Sequence, residues 1–253
     1  MRVVALVQAR LASTRLPQKV LADLCGRPMV MHPVERARAA QRVDEVIVAT
    51  TLEASDDALE AFCRSSQIGV FRGSVDDIVA RLVGAARARS ADVIVRIWAD
   101  CPMVDPGVID EAVAAVVDGG ADYATNSILA GRTYPVGLDI EVYRTTLLER
   151  IDVSTDHPFL REMPFEFVRA HAQELQLAFV RHSMDLSDQH LTVDYPEDLE
   201  RFRAMLSELE AEKTLPGFED AVRWLASHAA DDVAHLRDVD YTSKLERYRE
   251  EEI

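Results

Sequence analysis

The opening run Val3-Val4-Ala5-Leu6-Val7 is apolar at every position and stops at Gln8. A strand with one wet face alternates polar and apolar residues, so a run like this must be covered on both faces. The pattern returns at Glu45 to Ala49, Gly69 to Phe71 and Asp92 to Arg96. Between these runs lie longer amphipathic stretches, Met29 to Gln41, Ser55 to Ser66 and Val75 to Ser90, the second opening on a cap-like Ser55-Asp56-Asp57. Short apolar strands alternating with helices predict a parallel sheet with helices on both faces, the doubly wound Rossmann-like arrangement.

A further helix is expected from Pro106 to Asp118, with Asp105 as N-cap and Pro106 in the first helical position. After Gly119-Gly120 strands predominate. Tyr123 to Asn126, Leu138 to Tyr143, Phe165 to Arg169, Ala178 to Arg181 and Leu191 to Val193 read as short strands, with brief helices at Thr145 to Ile151 and His157 to Glu162. The fold class is therefore α/β, with a mixed, mostly parallel central sheet flanked by helices. Pro196 to Lys213 is helical again, and the acidic remainder from Phe218 reads as helical. The expected organisation is a main domain over residues 1–213 and an acidic helical extension over 214–253 packed on it.

With 253 residues, 48% of them hydrophobic, the chain can bury a large core without staples. Its 28 basic against 44 acidic residues leave a net charge of −16, which repels a nucleic acid backbone. No apolar run approaches the roughly 18 residues of a membrane span, and the first run is too short for a signal peptide core. The expectation is a cytoplasmic protein with no nucleic acid or membrane partner. Cys25, Cys63 and Cys101 are odd in number and contain no C-x-x-C pair, so they read as reduced thiols.

Against this acidic background, residues 10–19 stand out. Arg10, Arg15 and Lys19, with the hydroxyls of Ser13 and Thr14 and the stiff Pro17, follow the first strand directly. Ligands of open parallel sheets bind at that edge. Forked arginine donors and a compact lysine charge suit a polyphosphate, although the glycines of a P-loop are missing. The bland alternative is a basic connection that pairs with surface carboxylates.

Asp100, in Trp98-Ala99-Asp100-Cys101-Pro102, ends another expected parallel strand and would enter the same crevice. A carboxylate beside a triphosphate suits Mg²⁺, which takes one or two protein carboxylates and completes its shell with phosphate oxygens and water. Asp194 can be the second metal carboxylate, or an N-cap with Glu197 closing a capping box. In Leu138-Asp139-Ile140-Glu141-Val142 the alternation places Asp139 and Glu141 on one face, able to bind acceptor hydroxyls or simply to be solvated. Arg72 and Ser74 join a strand to a helix at the same sheet edge and could reach a nucleobase, while Ser74 with Asp77 also makes a capping box.

These pieces occur in an order that resembles the cytidylyltransferases of the spore-coat polysaccharide biosynthesis type, relatives of the CMP-KDO and CMP-sialate synthetases. Carrying the resemblance are Gln8-Ala9-Arg10 with Ser13 to Leu21, then Phe71 to Ser74, Asp100-Cys101-Pro102, Ala121-Asp122-Tyr123, Tyr134 to Val142 and Leu191 to Leu199, through about the first 210 residues. It implies a GT-A-type nucleotidyltransferase fold and transfer of CMP from CTP to a sugar-like, phosphorylated or acidic acceptor, with release of pyrophosphate and help from Mg²⁺. By position, Arg10, Ser13, Arg15 and Lys19 would hold the triphosphate, with Arg72 and Ser74 beside cytosine and ribose. Asp100 and Asp194 would hold the metal. Arg10, Lys19 and Asp100 would carry the chemistry, and Asp139, Glu141 and His157 would meet the acceptor. A homodimer is implied as well. Trp98-Ala99 and Asp156 to Phe159 depart from the relatives' usual residues and leave acceptor identity open. A UDP-sugar-dependent GT-A glycosyltransferase, which would normally carry a D-x-D motif, and an inactive nucleotide-binding scaffold remain the alternatives.

Overall fold

The computed structural model describes residues 1–127, 131–228, 245, 246 and 248. Its first strand, β1 (Val3–Gln8), lies between β4 (Glu45–Thr51) and β6 (Val93–Trp98), parallel to both, and β5 (Gly69–Gly73) extends the sheet beyond β4. The full order is β5-β4-β1-β6-β8-β7-β9, with β7 at Tyr123–Thr125, β8 at Glu141–Arg144 and β9 at Leu177–Phe179. Only β8 runs against the rest: it pairs antiparallel with β6 and β7, while β7 and β9 are parallel. This is the expected mixed, mostly parallel sheet.

Strand periodicity divides the core in two. Val3, Ala5 and Val7 of β1 join Val93, Val95 and Ile97 of β6 in one cluster. Against them pack α1 (Met31–Ala39), α4 (Pro106–Val117) and α8 (Pro196–Glu212), through residues such as Val34, Ile109 and Phe202. Val4, Leu6 and Ile94 face the other way, onto α3 (Ile78–Arg89) and α5 (Thr145–Ser154). Successive side chains of one strand therefore serve opposite layers.

Helix starts follow the available caps. Asp105 accepts from the N–H groups of Gly107 and Val108 at 2.8 and 3.2 Å, as expected for α4. At α3 the cap is Asp77, accepting from Ala80 N–H at 2.8 Å, and Ser74 Oγ accepts from Asp77 N–H, so the helix begins three residues later than expected. Before α2 (Asp57–Ser65) a 3-10 turn covers Ala54–Asp56, and the Asp56 side chain turns away from capping.

Several expectations need correction. Residues 165–169 are not a strand but part of α7 (Pro164–Ala170), which follows α6 (Pro158–Glu162). Pro164 starts it, and Pro164, Phe167 and Val168 are buried at helical spacing. Residues 191–193 form no ladder, because their N–H groups divide between partners: Leu191 bonds to Val136 O at 2.7 Å and Val193 to Asp100 O at 3.0 Å. Strand pairing near residues 138–140 is replaced by the side chain of Asn126, which donates to Leu138 O and accepts from Ile140 N–H. A short hairpin of β2 (Asp23–Leu24) and β3 (Arg27–Pro28) was not foreseen; it turns through Cys25 and Gly26, both with positive φ, as a two-residue hairpin requires.

Beyond α8 lies α9 (Phe218–Ser227), whose Phe218 and Ala221 join the first core cluster. The acidic helix expected further along lies outside the described residues, apart from positions 245, 246 and 248.

Candidate active site

At the carboxyl ends of β1 and β6 opens a cleft of about 600 Å³. One wall is the connection after β1. Asp56 pins it by accepting from Leu11 N–H at 2.7 Å, and Leu11 O in turn receives Ser13 N–H and Gln18 N–H. Gln18 takes a left-handed conformation, and a 3-10 turn at Lys19–Leu21 follows. Val20 is buried, so the turn is anchored in the core and carries Lys19 with it.

Lys19 is only 8% exposed. Its Nζ donates to Asp100 Oδ2 at 2.7 Å, Val193 O at 3.0 Å and Asp194 Oδ1 at 3.1 Å. Burial opposes its charge, but Asp100 and Asp194 outweigh that and raise the Lys19 pKa above the usual lysine value. Arg15 reaches Asp194 Oδ1 at 3.0 Å and lies over the Tyr195 ring. The same two carboxylates, with a hydrogen bond to Tyr195, lift its pKa against a burial cost. Asp100 and Asp194 are brought together by the Val193 N–H to Asp100 O bond. A second close approach supports this segment: at Gly137, with φ +98°, a Cβ would stand 2.2 Å from Leu191 O, so the position admits only glycine.

The cap at α8 differs from expectation. Asp198 Oδ2 accepts from the N–H groups of both Asp194 and Tyr195, at 2.9 and 3.0 Å. Asp198 thus does the work assigned to Glu197, and the Asp194 carboxylate serves Lys19 and Arg15. Two hard carboxylates converging on one ammonium fit a divalent cation that finishes its shell with phosphate and water. No group of three or more His, Cys, Asp or Glu side chains able to hold a metal occurs among the described residues.

The cleft is lined by the cations Arg10, Arg15, Lys19, Arg81 and Arg96, against the acids Asp76, Asp100 and Glu162. An excess of positive charge inside a chain of net −16 selects an anionic ligand. Ser13, Thr14 and Trp98 also line the cleft, the Trp98 ring 4.6 Å from the Arg96 guanidinium carbon. Arg96 itself is fixed by Glu141 at 2.9 Å and by Gln8 at 3.0 Å.

Six of the residues singled out from sequence, Arg72, Ser74, Asp139, Glu141, His157 and Asp194, stand outside this lining, Asp194 meeting it through Lys19 and Arg15. Arg72 spends its guanidinium on Thr51 O, Glu53 O, Asp57 and Glu60, each at 2.7 Å. Glu141 is 2% exposed and holds Arg96 and the Tyr143 hydroxyl, instead of presenting a carboxylate on an open face. Asp139 is ion-paired to Arg132 at 2.7 Å. His157 caps α6, its Nδ1 accepting from Phe159 N–H, and its ring meets Tyr248 edge-on. Ser74, engaged with Asp77 N–H, precedes the lining residues Val75 and Asp76. Arg81 was missed, yet a signal existed: it stands among Ile78, Leu82 and Ala85 on the apolar face of a helix, where a charge needs a reason.

The family model described as cytidylyltransferase matches residues 4–246. The chain belongs to the cytidylyltransferase family. This cytidylyltransferase is 32% identical over 210 residues to the spore coat polysaccharide biosynthesis protein SpsF of Bacillus subtilis, covering 79% of the chain and 84% of that protein. It is 40% identical over 117 residues to the 3-deoxy-manno-octulosonate cytidylyltransferase of Geobacter metallireducens, there spanning 46% of the chain and 45% of that enzyme. The chain therefore aligns with less than half the length of that relative. Among solved structures, a cytidylyltransferase from Leptospira borgpetersenii superposes with a TM-score of 0.83 at 29% identity, covering 90% of this chain and 95% of that one. The protein is a nucleotidyltransferase enzyme with a nucleotidyltransferase fold. No described helix is long and apolar enough to cross a membrane.

Proposed function

We propose that this enzyme transfers CMP from CTP to a sugar-like, phosphorylated or acidic acceptor and releases pyrophosphate, with Mg²⁺ held by Asp100 and Asp194. The observation that carries the reading is the single ammonium of Lys19 spanning those two carboxylates beside a cationic connection. In the proposed reaction an acceptor oxygen forms a bond to the α-phosphorus while the bond from that phosphorus to the bridging oxygen of pyrophosphate breaks. Such transfer depends on positioning and charge neutralisation more than on covalent help. Lys19, Arg10 and Arg15 orient the triphosphate and offset the charge that builds on the departing pyrophosphate. When bound, the metal supplies further charge neutralisation at the phosphates. An anionic acceptor oxygen needs no base, whereas an alcohol must release its proton as the new bond forms.

Cytosolic nucleotide chemistry agrees with three free cysteines, and we assign the enzyme to the cytoplasm as a homodimer. The test is pyrophosphate release from CTP, UTP, ATP and GTP with Mg²⁺ and a panel of sugar acids, sugar phosphates and phosphonates. Release selective for CTP with one acceptor class supports the reading. Absence of release from CTP with every class, or turnover of UDP-sugars instead, rejects it.

A further inference from the structure

Arg81 lines the cleft from the first turn of α3 and is 2% exposed. Its stem lies across Gly73 of β5, where a Cβ would come within 2.9 Å of Arg81 Cγ, so glycine there makes room for this arginine. The Nε is buried without a hydrogen-bond partner, and among the described residues the guanidinium makes no ion pair. Three of the four neighbouring cations differ in this respect, while Arg10, which like Arg81 makes no ion pair among the described residues, is exposed. Lys19 has Asp100 and Asp194, Arg15 has Asp194, and Arg96 has Glu141.

The carboxylate whose field reaches Arg81 is Asp56, and its oxygens are already committed. Oδ1 receives Leu11 N–H, and Oδ2 receives the Thr50 hydroxyl together with the N–H and hydroxyl of Thr51. Burial, and then the like charges of Arg96 and Arg10, lower the Arg81 pKa to about 10, which still leaves it cationic at neutral pH. A buried cation without a counter-charge is costly unless a ligand supplies one. Arg72, expected from sequence beside cytosine and ribose, is turned to Asp57 and Glu60.

We propose that Arg81 is a binding residue for a phosphate oxyanion of the nucleotide, continuing the cationic series of Arg10 and Arg15 onto the α3 wall of the cleft. This rests on the reading of CTP as donor. Forked guanidinium donors suit two oxygens of one phosphate, and the missing counter-charge is then brought by the substrate.

The test is calorimetric titration of CTP, UTP, cytidine and tripolyphosphate into the full chain, wild type, Arg81→Met and Arg81→Lys, with the ligand-free melting temperature of each. Arg81→Met should weaken CTP and tripolyphosphate roughly 10- to 100-fold while leaving cytidine within about twofold, and Arg81→Lys should recover part of the loss. Removing an uncompensated charge should leave the ligand-free melting temperature at or above that of wild type, which a purely structural arginine would not. Phosphate ligands bound within about twofold of wild type by Arg81→Met overturn the proposal and leave the CTP reading standing. Arg81-dependent binding of tripolyphosphate without preference for CTP over UTP upholds Arg81 and rejects cytidine specificity. Wild-type protein that binds neither CTP nor tripolyphosphate overturns both.

Discussion

Lys19 combines roles that separate substitutions can pull apart. It holds Asp100 and Asp194 together, and its charge faces the space proposed for the triphosphate. Lys19→Met should weaken CTP use and pyrophosphorolysis together, by about tenfold or more, in steady-state assays of both directions. Nucleotide kinetics equal to wild type would return this connection to a structural role. Asp100→Asn keeps the volume and the acceptor oxygen for Lys19 but removes a carboxylate charge. Turnover dependent on Mg²⁺ should fall by about 100-fold or more, with folding unaltered by circular dichroism; near-normal turnover would remove Asp100 from the metal site. Because the Lys19 pKa is raised, its interactions are fully present below the unfolded value of about 10.5 and fade only as pH climbs through the higher folded value. An alkaline fall in activity centred below pH 10 therefore belongs to some other group.

Two packed elements carry pH and charge effects of their own. On α1, His32 is 2% exposed, with Nε2 2.9 Å from Leu24 O. Burial, with Arg27 and Arg36 nearby, lowers its pKa to about 4 against the Leu24 hydrogen bond. The unfolded chain then takes up a proton near pH 6.5 that the folded chain refuses until about pH 4. Stability should drop by up to about 3 kcal/mol across that window. Urea unfolding at pH 7, 5.5 and 4.5 would read this, and His32→Gln should flatten the slope. Between β6 and β8, Arg96 stands directly opposite Glu141 in the register, and their buried pair closes the sheet where it changes direction. Glu141→Ala strands the Arg96 guanidinium and should cost about 3–5 kcal/mol in denaturant unfolding. If stability stays near wild type while acceptor use collapses, Glu141 serves the acceptor instead of the sheet. At this level the sequence pattern misled at α7, where Phe165 to Val168 is apolar enough for a strand and the buried spacing of Pro164, Phe167 and Val168 settles the helix.

Across the described residues, the segment that leads from Pro216 into α9 is bound into the main core. Arg36 of α1, 2% exposed, donates to Pro216 O at 2.6 Å, and Phe218 packs edge-on against Tyr134 at 5.5 Å. Ligand binding should therefore stabilise the described body as one unit. CTP with Mg²⁺ at about 100 times its dissociation constant should add roughly 2.7 kcal/mol and raise the melting temperature by about 5–10 °C; a null shift at saturating nucleotide would reject CTP as ligand.

The sheet's parallel half was legible in the chain because burial on both faces demands uninterrupted apolar runs, and period-two burial then assigns each residue to a layer. The cationic connection and Asp100 were legible for a related reason: they end apolar strands, and parallel strand ends share one edge. Other features depend on contacts between distant segments, which no local pattern encodes. Asn126 standing in for strand pairing, Gly137 admitting the Leu191 carbonyl, and Asp194 reaching Lys19 all join residues far apart in the chain. The different placements of Arg72 and Arg81 have the same origin. Both arginines sit near the same turn in sequence, but Asp57 and Glu60 on α2 capture one, while Gly73 leaves the other room to enter the cleft.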